Sequence, residues 1–224
     1  MKKSFYTLIL IAILLQSCLP ESPKGYLGWG YIIGFAEKNS NNSSVITDDP
    51  YKYKVIMRNI NFPDSLVGRR IYLEGDLYTS SGGYDYALEA VGYILATIKE
   101  IQTAENQGII DLANNANVSL DNNRVWQTGK YLNLTLSYTG TDPKKHSFDF
   151  FINGETEKFE NNRVTINICH LNNGDDVATK GYQTLLSMDL TSLFEKFTDK
   201  FDVKFVYTEY SQKKEVIISN IEKY

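Results

Sequence analysis

The stretch Ile71-Tyr-Leu-Glu-Gly-Asp-Leu-Tyr78, followed by Tyr84-Asp-Tyr-Ala-Leu-Glu-Ala90 and then Gly92-Tyr-Ile-Leu95, decides the fold. Ile71, Leu73, Gly75 and Leu77 alternate with Tyr72, Glu74, Asp76 and Tyr78, the period of two that marks a strand with one buried face. Ser80-Ser81-Gly82-Gly83 has the composition of a hairpin turn. Beyond it Tyr84, Tyr86, Leu88 and Ala90 alternate with Asp85 and Glu89. Past Gly92 both parities turn apolar (Tyr93, Ile94, Leu95), before alternation resumes through Ile98 and Lys99. A glycine at such a switch predicts a bent or bulged strand that passes from one layer to another.

Working outward, Tyr26 to Glu37 is a strand region rich in aromatics and glycine, and Asn39 to Ser44 reads as a polar loop. Tyr51, Tyr53, Val55 and Met57 alternate with Lys52, Lys54 and Arg58. About five strands with one strongly bent member fit a small OB-like β-barrel over residues 25–107. Residues 108–128, a short apolar piece followed by Asn/Asp-rich sequence, read as a linker. The remainder, 129–224, is again strands. Leu132, Leu134, Leu136 and Tyr138 share one face, Phe148, Phe150 and Ile152 another, and Val164, Ile166 and Ile168 a third. Asn153-Gly154 and Asn172-Asn173-Gly174 are turn signals. Only Asp189 to Phe201 breaks the pattern: Leu190, Leu193, Phe194, Phe197 and Phe201 have helical spacing, and Ser192 with Glu195 has the form of a capping box. One short crossover helix among hairpins suggests a β-sandwich. The fold class is mainly β, an OB-like barrel followed by a sandwich.

The N-terminus supplies an address. Lys2 and Lys3 precede an uncharged run, Phe5 to Leu15, too short to span a bilayer, for which roughly 20 apolar residues are needed. The order of charge and apolar run is that of a signal peptide, and Leu15-Gln16-Ser17-Cys18 resembles a bacterial lipobox. That resemblance implies a leader over 1–17, a lipidated Cys18 and a tether over 18–24, with the membrane as first partner. Two or more acyl chains make such an anchor stable. Removing the leader removes two lysines and no acids, leaving 21 Lys and Arg against 27 Asp and Glu, so the net charge goes from −4 to −6. A protein of that charge is unsuited to nucleic acid, whose phosphates need neutralising cations. With Cys18 acylated, Cys169 has no partner, which excludes a disulfide framework and a cysteine zinc site.

His146 and His170 are the sole histidines. They carry two readings: a metal or acid/base centre with Asp175 or Asp176, or a core-capping role for His170, favoured because no ligand spacing supports a metal. Cys169 lies on the strand face opposite Ile168 and His170, which argues against a Cys–His couple. Asn172 to Asp176 offers oxygen ligands but lacks the spacing of a calcium loop. No glycine-rich phosphate cradle or nucleophile elbow is present, and no cofactor is expected. The aromatics of the barrel are more telling: Trp29, Tyr72 and Tyr78 are the ligand-binding candidates, since Tyr72 and Tyr78 share the wet face with Glu74 and Asp76.

The order of these features resembles the NigD-like lipoproteins. The residues that carry the likeness are the lipobox, Val67-Gly68-Arg69-Arg70, Lys130-Tyr131-Leu132-Asn133-Leu134, His170-Leu-Asn-Asn-Gly-Asp175 and Ser187-Met188-Asp189-Leu190-Thr191. The likeness implies an OB-like domain and a C-terminal sandwich, a source among Bacteroidota, and a name taken from a bacteriocin cluster. Together with the anchor it yields the expected function: a non-enzymatic envelope lipoprotein, at the outer membrane, binding a glycan, peptide or envelope protein. The alternatives are an immunity-like bacteriocin-cluster factor and a hydrolase using His146, His170 and Asp175 or Asp176.

Overall fold

The computed structural model describes residues 25–223 except 41, 49, 115 and 155–161. The leader, Cys18 and the tether lie outside them. Five strands close a barrel: β1 (Tyr26–Asn39), β2 (Asn42–Thr47), β3 (Lys54–Met57), β4 (Arg70–Thr79) and β5 (Tyr86–Ala104). β1 pairs antiparallel with β2 and β4, β2 with β3, and β4 with β5, while β3 and β5 close the ring in parallel. This is the OB-like arrangement. The polar loop expected at Asn39–Ser44 is shorter than read, since Asn42 already opens β2. Ser43 and Ser44 are buried there, and the Ser43 hydroxyl accepts from the Phe62 amide at 2.6 Å.

The bent strand is β5. Glu74 pairs with Gly92 but Gly75 pairs with Ala90, so Val91 is an extra residue, 69% exposed, in a bulge. Gly75 is required there, because a Cβ would sit 2.1 Å from the carbonyl oxygen of Glu89. Past Leu95, the last of its residues paired with β4, β5 leaves the barrel. Its residues Ala96–Glu100 pair in parallel with β10 (Lys180–Asp189), and Ile101–Ala104 pair in parallel with β8 (Ser147–Asn153). One 19-residue strand therefore belongs to the barrel and to both sheets of the sandwich. The first sandwich sheet continues from β10 to β7 (Tyr131–Gly140) and β6 (Ser119–Thr128). The second runs from β8 through β9 (Arg163–Leu171) and β11 (Phe201–Glu209) to β12 (Gln212–Ile221).

Each unit has its own core. Val45, Val55, Phe62, Ile71, Leu73 and Leu88 fill the barrel. Leu132, Leu134 and Leu136 of β7 meet Phe150, Ile166, Ile168 and Phe205 in the sandwich, as their alternation predicts. The segment 108–128, expected as a linker, is built: α1 (Gln107–Ala113) and β6 occupy most of it. Asn106 caps α1, its side chain accepting from the Ile109 amide at 3.2 Å. The helix expected from Asp189 to Phe201 is one turn, α2 (Thr191–Phe194), without the Ser192–Glu195 box. Asp189 instead accepts from the Thr191 amide at 2.9 Å and from Lys130 Nζ at 2.7 Å. The helical spacing of the phenylalanines beyond the turn serves a stack, Phe197 on Phe201 at 4.4 Å.

The two units are joined by a buried polar knot around Arg70, the first residue of β4. Its guanidinium makes a bidentate pair with Asp48 of the barrel. It also donates to Ser187 of β10 at 2.9 Å, to Thr128 of β6 at 3.0 Å and to Asn133 of β7 at 3.2 Å. Asn133 and Ser187 are bonded to each other at 2.8 Å, and the Tyr131 ring covers the guanidinium at 4.1 Å. The Arg70 and Asp48 side chains are 0% and 5% exposed. Breaking a buried pair of this kind leaves an uncompensated charge, at a cost of about 3–5 kcal/mol. Arg70→Met should therefore lower unfolding stability by about that much, whereas adding Asp48→Leu to it should restore most of the loss. Denaturant midpoints of the two variants check this, and equal losses would contradict it.

Candidate functional site

Barrel and sandwich meet along an apolar seam of Ile33, Ala96 and Leu185, against which Tyr72 and Trp126 pack. Pairing sets the outer barrel face: Tyr72 lies opposite Ile33 on β1 and Ile94 on β5, and Tyr31 lies opposite Glu74. On the sandwich side Trp126 lies opposite Asn133, and Leu185 opposite Thr135. Above the seam the surfaces part into a groove of about 410 Å³. Tyr72, Glu74 and Ile94 form the barrel wall, and Arg124, Trp126, Thr135 and Gln183 the sandwich wall. The groove opens because β5 stays with β10 only as far as Ala96–Leu185 and then turns to β4.

Three rings organise it. Tyr31 stacks on Tyr72 at 5.9 Å, and both meet Trp126 edge-on, at 6.4 and 6.1 Å, distances at which aromatic pairs attract. Tyr31 is nonetheless 61% exposed and Trp29, beside it on β1, 59%. The polar groups are loosely held by their neighbours. Arg124 reaches Gln183 at 3.5 Å and Asp121 at 3.6 Å, Gln183 reaches Ser137 at 3.3 Å, and the Tyr72 hydroxyl reaches Glu74 at 3.4 Å. The indole N–H of Trp126 is buried and has no hydrogen-bond partner among the described residues. Burial, with Glu74 nearby, raises the Tyr72 hydroxyl above its ordinary pKa.

Of the sequence candidates, Tyr72 lines the groove, Trp29 stands exposed near Tyr31 on β1 outside its lining, and Tyr78 is buried elsewhere. Tyr78 shares the outer parity but is 5% exposed. The Tyr26 ring abuts it at 5.5 Å, the Arg58 guanidinium sits over it at 4.0 Å, and its hydroxyl bonds Glu89 at 3.2 Å. Its expected accessibility is thus corrected: parity set the face, but neighbours cover the ring. Trp126 and Arg124 escaped notice because they fall where a linker was expected.

The histidines do meet Asp175, in a sealed chain. The Asn117 carbonyl lies 2.7 Å from His170 Nδ1, His170 Nε2 lies 2.8 Å from His146 Nδ1, and His146 Nε2 lies 3.2 Å from Asp175 Oδ2. A carbonyl only accepts, so His170 Nδ1 donates to it and Nε2 is left as an acceptor. His146 Nδ1 therefore donates to His170. Asp175 already accepts from the amides of Thr141 and Asp142 and from the Thr141 hydroxyl. Its Oδ2 also faces His146 Nε2, at 3.2 Å. These hydrogen bonds hold the Asp175 carboxyl far below the usual carboxylate range, and burial lowers His170 to about 4. The His146 and Asp175 side chains are 1% and 2% exposed, and Tyr138 lies over both imidazoles at 4.6 and 5.4 Å. The His170 Nε2 lone pair that a metal would need already accepts from His146. Among the described residues no group of three or more His, Cys, Asp or Glu is placed to hold one.

Cys169 is buried too, bonded to the Ile110 carbonyl under α1, and desolvation pushes its thiol up to about 12. It does not have the electropositive setting of a nucleophile. Asp176 is taken by the Asn172 amide at 2.8 Å, so the Asn172 loop forms a turn, with Asn173 and Gly174 at φ +46° and +78°.

Fold and groove define a two-unit all-β architecture in which an OB-like barrel is spliced by one strand into a β-sandwich. The NigD-like C-terminal beta sandwich domain matches residues 100–220, and the chain belongs to that family. Several solved structures share the architecture. A protein of unknown function from Bacteroides vulgatus superposes with TM-score 0.65 at 16% identity, over 88% of this chain and 95% of that one. A NigD-like immunity protein from Bacteroides caccae gives 0.56 at 18%, over 88% and 93%. A chain described as "Putative lipoprotein" from Bacteroides fragilis gives 0.63 at 11%, over 87% and 98%. Comparison with curated proteins finds no match.

The histidine chain sets a pH dependence. His170 takes up a proton more readily unfolded, near its ordinary 6.5, than folded, near 4. Stability contributed by His170 is therefore full above that window and falls as pH drops from about 6.5 to about 4, by roughly 3 kcal/mol in all. Asp175 adds a further loss as pH drops below its ordinary 3.8. Denaturant unfolding across pH 4–7 should show that slope in the native protein and a shallower one in His170→Gln. Parallel slopes would contradict it.

Proposed function

We propose that this chain is a non-catalytic, lipid-anchored envelope protein that binds a glycan, peptide or protein partner in the groove between barrel and sandwich. The observation that carries the reading is the Tyr31–Tyr72–Trp126 cluster, exposed at Tyr31 and flanked by polar groups that bond one another only at 3.3–3.6 Å. Such groups have hydrogen-bonding capacity to give a ligand, while the rings supply apolar contact area. The non-catalytic part rests on the histidine chain, whose nitrogens are spent internally behind Tyr138. The anchor rests on the lipobox, and the description of the B. fragilis neighbour agrees with it. We place the protein at the outer membrane. A second reading, a bacteriocin-cluster factor, is favoured by the printed description of the B. caccae neighbour. It requires that deleting the gene change sensitivity to a neighbouring toxin.

Two experiments test the proposal. Cys18→Ala should abolish incorporation of labelled palmitate and move the protein from the membrane to the soluble fraction, and continued membrane retention would count against the anchor. A photo-crosslinking amino acid at position 31 of the lipidated protein in intact cells should capture a partner that the same probe at Tyr210, on the far end of the sandwich, does not. Equal capture from both, or none from position 31, would remove the groove from consideration.

A further inference from the structure

Tyr31, packed on Tyr72 and Trp126, stands beside the groove and outside its lining. The same ring borders a second depression of about 330 Å³, whose other walls include Ile33, Tyr51, Tyr53 and Gln127. Tyr51 and Tyr53 stack face to face, 5.4 Å apart at 2° between planes, and are 70% and 36% exposed. An interrupted row of rings therefore crosses from the β2–β3 connection of the barrel, over Tyr31, to Trp126 on the sandwich.

Three features of this row point to one ligand class. The rings are Tyr and Trp, amphipathic platforms with a polar edge, not a continuous aliphatic patch. The groove lining carries one carboxylate, Glu74, and one guanidinium, Arg124, and the carboxylate of the second depression, Asp48, is already paired with Arg70, so the row favours neither an anion nor a cation. The remaining polar lining is Thr135, Gln183 and Thr184, side chains that both donate and accept. A chain of pyranose rings meets all three: its C–H faces lie on aromatic rings, its hydroxyls pair with planar amide, carboxylate and guanidinium groups, and it is uncharged. Resting on the groove reading above, we infer that the ligand is a neutral oligosaccharide laid along Tyr51, Tyr31 and Tyr72–Trp126, with hydroxyls bonded by Glu74, Arg124 and Gln183.

The test uses the full chain from residue 19 onward, prepared without its lipid, on an array of neutral linear oligosaccharides of four to eight rings. Octapeptides of randomised sequence are printed beside them. Retention on one or more saccharides is expected, with Tyr31→Ala and Glu74→Gln each weakening it roughly tenfold. Tyr51→Ala should weaken the longer chains more than the shorter, because only they reach it. Tyr31 and Tyr51 are exposed, so loss of folding should not intervene, and unchanged melting temperatures verify that. Retention of peptides instead, sensitive to Tyr31→Ala, would overturn the saccharide and leave the groove standing. Saccharide retention indifferent to Tyr31→Ala, or no retention of either class, would overturn the inference. In the former case the groove reading falls as well, and in the latter it is decided separately by the cross-link at position 31.

Discussion

The pairing of Arg70 with Asp48, Ser187 and Asn133 is the constraint on which the architecture rests. Beside it, among the described residues, the barrel and sandwich share the covalent run of β5, the seam of Ile33, Ala96 and Leu185 with Tyr72 and Trp126 packed on it, and the contact of Phe35 with Tyr131. A seam of that size permits hinging, since contacts between units of one chain default to relative motion unless they are large and apolar. A guanidinium bonded to four side chains, on β6, β7, β10 and the β2–β3 connection, has one geometry in which all its donors are satisfied. Leaving it costs several kcal/mol. The contact that ties barrel to sandwich is thus made by a residue that lines none of the groove.

This explains what the family-like motifs are for. Val67 to Arg70 delivers the guanidinium: Gly68 takes φ +76° and its amide bonds the Ala36 carbonyl, while the Arg69 carbonyl accepts from the Ala36 amide. Lys130 to Leu134 brings Tyr131 and Asn133, and Ser187 to Thr191 brings Ser187 and the Asp189 that accepts from the Thr191 amide at the start of α2. The run from His170 to Asp175 builds the second knot, at the other end of the sandwich. Both knots are polar, buried and fully partnered, the condition under which such networks define one structure rather than weaken it. The motifs specify a shape, and the residues that line the groove this shape creates lie outside them.

Much of the fold was legible in the chain. Alternation on β4, β7 and β9 named the core residues because strand parity is local, and Gly92 marked the bend because it adjoins the bulged Val91, although the glycine that the close approach requires is Gly75 on β4. What parity cannot report is who covers an outer face. Tyr78 reads like Tyr72, yet Tyr26 and Arg58, distant in sequence, close over it. Cys169 faces away from the sandwich core and is still buried, because α1 lies on that side. The Asn/Asp-rich run before Gly129 conceals β6, since its alternation is broken where Leu120 pairs with Leu136 and Val125 already with Leu134. The groove could not be read from the sequence for the same reason, as one of its walls is β6.

The central claim is that barrel and sandwich form a single rigid body whose groove is held open by Arg70. Spin labels at Val67→Cys on the barrel and Tyr210→Cys on the sandwich, both exposed positions, measure it directly by pulsed dipolar spectroscopy. The account predicts one narrow distance distribution in the otherwise native protein, broadened when Arg70 is replaced by methionine. A broad distribution with Arg70 in place, or one that the substitution leaves unchanged, would contradict it.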